Sequence, residues 1–275
     1  MQSFFHIYIY LSYNLIGECM FNIGDYVTRN SYNNDVVFKI VSIDDDLYYL
    51  KGVNVRLCAD SYKEDLKLYN NDSENNDIFL PSIEEYRKLN RSEYFYLPGK
   101  ILHLDGDKEY LDSCLDFYKK NKLRAFGVYF KEVDLASNIV SLLQKYTPDI
   151  VVITGHDAYY RKRKNGSKYK NTSNFIDCVK MARSYEKSHQ KLIIIAGACQ
   201  SDYEELIKAG ANFASSPKRI NIHALDPAIV AGCMAFSDIN NNIDLINILE
   251  KTKYGAAGMG GIITKGTMYT GYPRE

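Results

Sequence analysis

The apolar positions of the chain follow two different patterns. Between residues 21 and 69, short runs rich in β-branched and aromatic side chains, as at 35–43 and 47–53, are separated by polar turns. This pattern predicts short antiparallel strands and a small SH3-like β-barrel over residues 20–70. From residue 99 onward, continuous apolar runs alternate with segments whose apolar residues recur at helical spacing. That alternation predicts an α/β domain with a mostly parallel sheet and flanking helices.

Four apolar runs are predicted to be the main strands of this second domain. They cover residues 100–104, 125–130, 149–155 and 192–198. Helices are predicted between successive runs and again near 202–209, 228–235 and 243–249, with a short strand at 212–215. Sequential parallel strands are usually neighbours, and their carboxyl ends then lie on one edge of the sheet, where ligands bind in open α/β folds.

The remaining segments are interpreted as a leader and a linker. Residues 1–19 contain an apolar stretch without a preceding Lys or Arg, which fits neither a secretory signal nor a membrane span. We interpret Met20 as the true start, and a weak membrane-associating leader is the alternative. Residues 71–98 are predicted to form a polar linker and a short helix before the α/β domain at 99–275.

Composition excludes several classes of function. Lys plus Arg and Asp plus Glu both total 34, so the zero net charge provides no global attraction to nucleic acid or anionic membranes. The six cysteines are scattered and form no CxxC pair, which disfavours a zinc site and a disulfide framework. We therefore predict no metal, no cofactor, no nucleic-acid partner and no membrane partner. Oligomeric state is left open.

Two predicted strands end in reactive side chains. The third strand runs into Gly155 and His156, and the fourth runs into Gly197, Ala198 and Cys199. Since neighbouring strands lie about 4.8 Å apart, these ends are expected to bring His156 close to Cys199. An imidazole can take the proton of a thiol and later protonate a leaving amine. The sequence therefore predicts a cysteine nucleophile at Cys199 with His156 as its base, and the Cys199 backbone amide as an oxyanion donor.

The blocks VVITGHD and IIIAGAC resemble those of the caspase, clostripain and gingipain superfamily. The chain as a whole resembles the YabG family of sporulation-specific peptidases, through GDYV, LPGKILHLDGD, ITGHDAYY, AGACQSDYEELIKAGANFASSP and IHALDP. The resemblance covers nearly everything after Met20. It implies a caspase-like fold and a cysteine endopeptidase that processes spore coat and cortex proteins after basic residues. It also implies a location in the mother-cell cytoplasm or in association with the spore coat.

Two departures from the superfamily affect the predicted site. A glycine whose amide serves the oxyanion usually follows the histidine, and here the amide of Asp157 must take that role. Several Arg- or Lys-specific relatives carry Asp two residues before the nucleophile, where this chain has Gly197. The acid that binds a basic substrate side chain must therefore come from elsewhere. Asp226 is the leading candidate, with Asp157 and Asp202 as alternatives.

Other interpretations remain open. The main alternative is a non-catalytic flavodoxin-like binding module in which His156 and Cys199 are incidental pocket residues. A scaffold or nucleic-acid adaptor acting through the barrel and the basic loop, and a different thiol enzyme using the same dyad, are further alternatives. His103 is interpreted as a packing or hydrogen-bonding residue. The basic run at 161–164 is interpreted as a solvated loop. The alternative is that the enzyme cleaves itself in this exposed run.

Overall fold

A computed structural model describes residues 21–69, 95–159 and 168–271. Of these, residues 21–51 and 59–69 form one compact unit, and Gly52–Cys58 belongs with the remaining residues to a second, larger unit. The predicted leader, most of the predicted linker and the basic run lie outside the described residues. The predicted domain boundaries stay predictions.

The smaller unit is built on a five-stranded sheet. Its strands are β1 (Tyr26–Arg29), β2 (Phe38–Asp44), β3 (Leu47–Gly52), β4 (Cys58–Tyr62) and β5 (Leu66–Leu68), with 3-10 helices at Asn30–Tyr32 and Lys63–Asp65. Their order is β4-β3-β2-β1-β5, and β1 pairs antiparallel with both of its neighbours. The predicted antiparallel sheet is confirmed, and its closure into an SH3-like barrel stays a prediction.

The larger unit contains a six-stranded sheet and a two-stranded one. The strands are β6 (Phe95–Leu97), β7 (Ile101–Asp105), β8 (Ala125–Tyr129), β9 (Ile150–Thr154), β10 (Ile193–Ala196), β11 (Phe213–Ser215), β12 (Met259–Gly261) and β13 (Tyr269–Gly271). The main sheet has the order β12-β11-β10-β9-β7-β8, and β13 pairs with β6. Neighbouring strands of the main sheet run parallel, except that β11 and β12 are antiparallel. The predicted mostly parallel α/β sheet is confirmed.

Helices cover both faces of the main sheet, as the continuous apolar strands require. They are α1 (Lys108–Lys120), α2 (Leu135–Tyr146), α3 (Thr172–Tyr185), α4 (Tyr203–Lys208), α5 (Asp226–Phe236) and α6 (Leu245–Glu250), with 3-10 helices at Glu132–Asp134 and Gly255–Ala257. One core cluster joins Leu102, Ile153 and Ile194 of the strands to Ile139 and Phe175 of the helices. Within the described ranges, no helix combines the length and apolar character that a membrane crossing needs.

The strand order differs from the simple sequential order in one respect that shapes the site. Strand β8 lies at the edge, so that β7 is the direct neighbour of β9, with Leu104 opposite Ile153. Ile153 is also opposite Ala196 of β10. The carboxyl ends of β7, β9 and β10 therefore meet, and the residues that follow all three strands share one edge.

Candidate functional site

His156 is held by contacts on both nitrogens of its ring. It follows β9 after Gly155, and its side chain is 14% exposed. Its Nε2 lies 2.9 Å from Oδ2 of Asp107, and its Nδ1 lies 3.7 Å from Sγ of Cys58. The His156 backbone N–H donates to Oε1 of Glu132 at 2.9 Å. These contacts fix the orientation of the imidazole.

Asp107 connects this histidine to the start of α1. Its Oδ1 accepts hydrogen bonds from the backbone N–H groups of Glu109 and Tyr110, which makes it the N-cap of the helix. The other oxygen, Oδ2, faces His156. One carboxylate thus satisfies the helix terminus and positions the ring.

The surroundings of His156 favour its charged form. Burial opposes protonation, but the hydrogen bonds of Asp107 and Cys58 outweigh it and raise the pKa of His156 to about 9. Because this pKa lies above the ordinary value of about 6.5, the folded state binds more protons than the unfolded state between these values. The stabilisation by His156 is therefore complete below about pH 6.5 and is lost as the pH rises through about 9.

Replacement of Asp107 by Asn tests the role of the carboxylate. Asn retains an oxygen that can cap α1, but it removes the negative charge beside His156. We expect the pKa of His156 to fall toward its ordinary value, as measured by NMR titration of the imidazole C–H signals. The matched control is Asp112→Asn, on the exposed face of α1, where Asp112 pairs with Lys108. An unchanged titration in Asp107→Asn would contradict the proposed coupling.

Cys199 lies in a tight turn between two residues with positive φ. Gly197 precedes it with φ of +105°, and Gln200 follows it with φ of 58°. A side chain at position 197 would be strained by that φ and crowded by Leu206, which explains the glycine. The thiol is fully buried; its Sγ accepts from the Ile222 N–H at 3.3 Å and lies 3.6 Å from the Ile222 carbonyl.

The resting environment of Cys199 favours the neutral thiol. Burial raises the pKa of Cys199 to about 12, and the Ile222 backbone, the Arg56 guanidinium and the Arg56 backbone N–H oppose this rise only in part. A thiol with such a pKa is a poor nucleophile at neutral pH. Cys199 therefore needs a change in its surroundings before it can react.

The structure brings Cys199 and His156 to the same sheet edge without a direct contact. Within residues 21–69, 95–159 and 168–271, no hydrogen bond joins the thiol to the imidazole. Tyr110 interacts with both groups. Its ring centroid lies 5.5 Å from that of His156, and burial, then Asp107, Cys58 and Cys199 raise the pKa of its phenol. The predicted dyad stays a prediction.

The backbone amides predicted for the oxyanion are available donors. In the described part of the chain, neither the Asp157 N–H nor the Cys199 N–H donates to a protein acceptor. Helix α4 begins only at Tyr203, four residues after Cys199, with Asp202 as its N-cap. The Cys199 amide therefore lies outside the first turn of this helix, and any contribution of the helix terminus to the oxyanion is small.

The three carboxylates predicted to bind a basic substrate side chain are engaged in local hydrogen bonds. Asp226 is buried and accepts from the backbone N–H groups of His223 and Lys253, both at 2.9 Å. Burial raises the pKa of Asp226 to about 6, against these hydrogen bonds. Asp202 caps α4 through the Glu205 N–H. Recognition of a basic substrate side chain by these carboxylates stays a prediction.

Asp157 organises the loop after His156. Its Oδ1 accepts from the Ala158 and Asn171 backbone N–H groups at 2.9 and 2.8 Å. Its Oδ2 accepts from the hydroxyls of Thr172 and Ser201, the latter at 2.8 Å. The carboxylate therefore ties the loops after β9 and β10 together and holds its own backbone amide in place.

The structure adds a buried ionic cluster that sequence reasoning missed. Arg56 Nη1 lies 2.6 Å from Oδ2 of Asp105, and both side chains are 0% exposed. Asp105 also accepts from Thr154 Oγ1 at 3.0 Å and lies 3.4 Å from His103 Nε2. His103 bonds to Tyr118 and Thr154, in agreement with its interpretation as a hydrogen-bonding residue. The sequence signal for this cluster is the pair of acids at the end of β7, Asp105 and Asp107.

Two comparisons with known proteins bear on the chain. A family model described as YabG peptidase U57 matches residues 22–79 and 74–273. The "Sporulation-specific protease YabG" of Bacillus subtilis (strain 168) is 39% identical over 285 residues, which cover 92% of this chain and 98% of that protein. Both comparisons extend over the small unit and over the segments that carry His156 and Cys199.

Proposed function

The chain belongs to the YabG peptidase U57 family, and from that premise we propose that it is a sporulation-specific cysteine endopeptidase with Cys199 as nucleophile and His156 as base. The observation that carries the proposal is the register of β9 and β10. Ile153 pairs with Ala196, so that His156 and Cys199 follow neighbouring parallel strands at one edge. The Tyr110 ring lies 5.5 Å from that of His156, and the phenol of Tyr110 also feels the charge of Cys199.

Proton transfer from Cys199 needs the neutral form of His156, which is the minor form at neutral pH while Asp107 and Cys58 hold the pKa of His156 near 9. The chemistry begins when the neutral imidazole takes the proton of the Cys199 thiol. Since Asp107 holds Nε2, the other ring nitrogen, Nδ1, is the one that serves the nucleophile. The thiolate attacks the peptide carbonyl, and the amides of Asp157 and Cys199 stabilise the oxyanion. The imidazolium then protonates the leaving amine, and water hydrolyses the acyl-enzyme. Asp107 acts in this scheme as a positioning residue, because it contacts the histidine and takes no part in the bonds that form or break.

The proposal also covers the type of fold, the substrates and the place of action. We propose a caspase-like arrangement for the larger unit, proteins of the spore coat and cortex as substrates, and cleavage after Arg or Lys. The site of action is the mother cell or the spore coat. Asp226, with Asp157 and Asp202, is the sequence-based candidate for recognition of the basic side chain.

A peptide panel combined with covalent labelling tests the nucleophile and the specificity. The panel carries Arg, Lys, Asp or Asn before a fluorogenic reporter, and an arginyl chloromethyl ketone is mapped by mass spectrometry. We expect cleavage after Arg and Lys, with the label on Cys199. A label on Cys58, which lies beside His156, would identify Cys58 as the nucleophile instead. Absence of both cleavage and labelling would favour the flavodoxin-like binding module.

A further inference from the structure

A short segment of the larger unit, Gly52–Cys58, lies across the candidate active site. Tyr110 donates from its phenol to the carbonyls of Gly52 and Val55, the latter at 2.8 Å. Val55 forms an antiparallel bridge with His223, and the Ala224 N–H donates to the Asn54 carbonyl at 3.0 Å. The pairing at Asn54 and Val55 is a short form of the backbone pairing by which peptides bind to a protein edge.

The segment runs from the thiol to the imidazole. Cys199 Sγ accepts from the Ile222 N–H, and the next residue, His223, forms the bridge with Val55. The backbone N–H of Arg56 also acts to lower the pKa of the Cys199 thiol. Two residues later, Cys58 Sγ lies 3.7 Å from Nδ1 of His156. The peptide bond after Arg56 therefore falls between the two groups that the proposed mechanism uses.

The side chain of Arg56 enters a pocket with the chemistry of a site for basic residues. Its Nη1 lies 2.6 Å from Asp105 Oδ2, its Nε and Nη2 donate to the Ala224 carbonyl at 3.3 and 3.2 Å, and its guanidinium lies 5.0 Å from the centre of the Tyr110 ring. A carboxylate, a carbonyl and an aromatic face together form a guanidinium-binding pocket.

We propose that Arg56 is a built-in pseudosubstrate that fills the pocket for the basic substrate side chain, and that Asp105 is the specificity-determining carboxylate of this pocket. The inference rests on the proposed function and adds a means of restraining it. Asp105 fits the role better than Asp226, because Asp105 pairs with a cation whereas both Asp226 oxygens accept from backbone N–H groups.

The local backbone explains why the segment inhibits rather than being cleaved. The Leu57 N–H, which belongs to the bond that would break, donates to the Val55 carbonyl at 2.8 Å and closes a tight turn around Arg56. Cys58 at the same time occupies Nδ1 of His156. The bond after Arg56 is thus bent, and the base is already engaged. A substrate gains access only when the segment leaves.

The test compares the full chain with Arg56→Ala on a fluorogenic peptide carrying Arg before the reporter. We expect kcat/KM to rise about tenfold or more, because removal of the competing segment raises the fraction of competent sites. Arg183→Ala is the matched control. Arg183 also bonds to backbone carbonyls, those of Gly210 and Leu192, but at the amino end of β10. It should lower the melting temperature without raising kcat/KM.

A second readout separates a pseudosubstrate from a purely structural ion pair. Removal of Arg56 leaves Asp105 unpaired, and ethylguanidine is expected to refill the pocket, restore the melting temperature and raise KM for the arginyl peptide. A peptide of residues 54–59 should compete in the same way, whereas the same peptide with Arg56→Ala should not. Restored melting without any change in KM would overturn the inference, and so would an Arg56→Ala protein that is folded but no more active than the wild type.

These outcomes are distinct from those that decide the proposed function. If labelling of Cys199 and cleavage after Arg are observed while Arg56→Ala gives no gain, only the pseudosubstrate is wrong. If Cys199 is not labelled and no peptide is cleaved by either protein, the proposed function falls and the pseudosubstrate with it.

Discussion

Replacement of Cys199 by Ala is expected to lower kcat/KM for arginyl peptides by about a thousandfold or more. Loss of the nucleophile removes the covalent route, and what remains is the effect of binding and oxyanion donors. Because Cys199 is fully buried, Ala deletes one sulphur from a packed turn and leaves the backbone amides in place. The measurement is steady-state cleavage of the arginyl peptide after the melting temperature has confirmed that the variant folds.

Cys178→Ala is the matched control for this experiment. Cys178 is also a free, fully buried cysteine, but it lies on α3 within the apolar core cluster. Its removal should cost some stability, as the loss of a buried apolar group does, and leave kcat/KM nearly unchanged. Full activity in Cys199→Ala would show that Cys199 is not the nucleophile. Loss of activity in Cys58→Ala together with that result would identify Cys58 instead.

Replacement of Asp105 by Asn is expected to lower the free energy of unfolding by about 3–5 kcal/mol. Both members of the Arg56–Asp105 pair are 0% exposed, and loss of one partner leaves a buried charge without compensation. Asn keeps the shape and an oxygen for the Asp107 N–H, which donates to Asp105 Oδ1 at 2.9 Å, but it removes the charge. Urea unfolding, followed on the transition of the larger unit, measures the loss.

The difference in the free energy of unfolding between the wild type and Asp105→Asn depends on pH. Burial alone would raise the pKa of Asp105, but Arg56 and then His103 outweigh it and hold the pKa below its ordinary value. The stabilisation by the carboxylate is therefore present above the unfolded pKa of about 3.9 and is lost as the pH falls through the folded value. We expect the wild type and Asp105→Asn to differ fully at neutral pH and to converge in acid.

Asp112→Asn provides the control for the same substitution on an exposed pair. Asp112 and Lys108 are 55% and 70% exposed, and exposed pairs contribute little. Its effect should stay within about 0.5 kcal/mol. If Asp105→Asn were equally mild, the buried pair would not support the fold in the way its burial implies.

Local pattern determined the elements that carry the proposed site. The apolar runs at 149–155 and 192–198 could bury their surface only between two layers of helices, and they became β9 and β10. Their periodicity also identified the neighbouring helices, and the reactive residues after Gly155 and Gly197 followed from the ends of the runs. Short-range apolar spacing is enough for these assignments, because it records which faces of each element are buried.

The partners of the reactive groups were decided only by tertiary structure. The sequence placed β8 next to β9 by default, but β7 takes that position, and this brings Asp107 to His156. Arg56, some 50 residues before Asp105, meets it in a buried pocket that no local pattern marks. Strand order and long-range ion pairs depend on how separate segments pack together. Spacing along the chain therefore predicted the nucleophile and base, whereas only the fold revealed what holds the histidine and what fills the site.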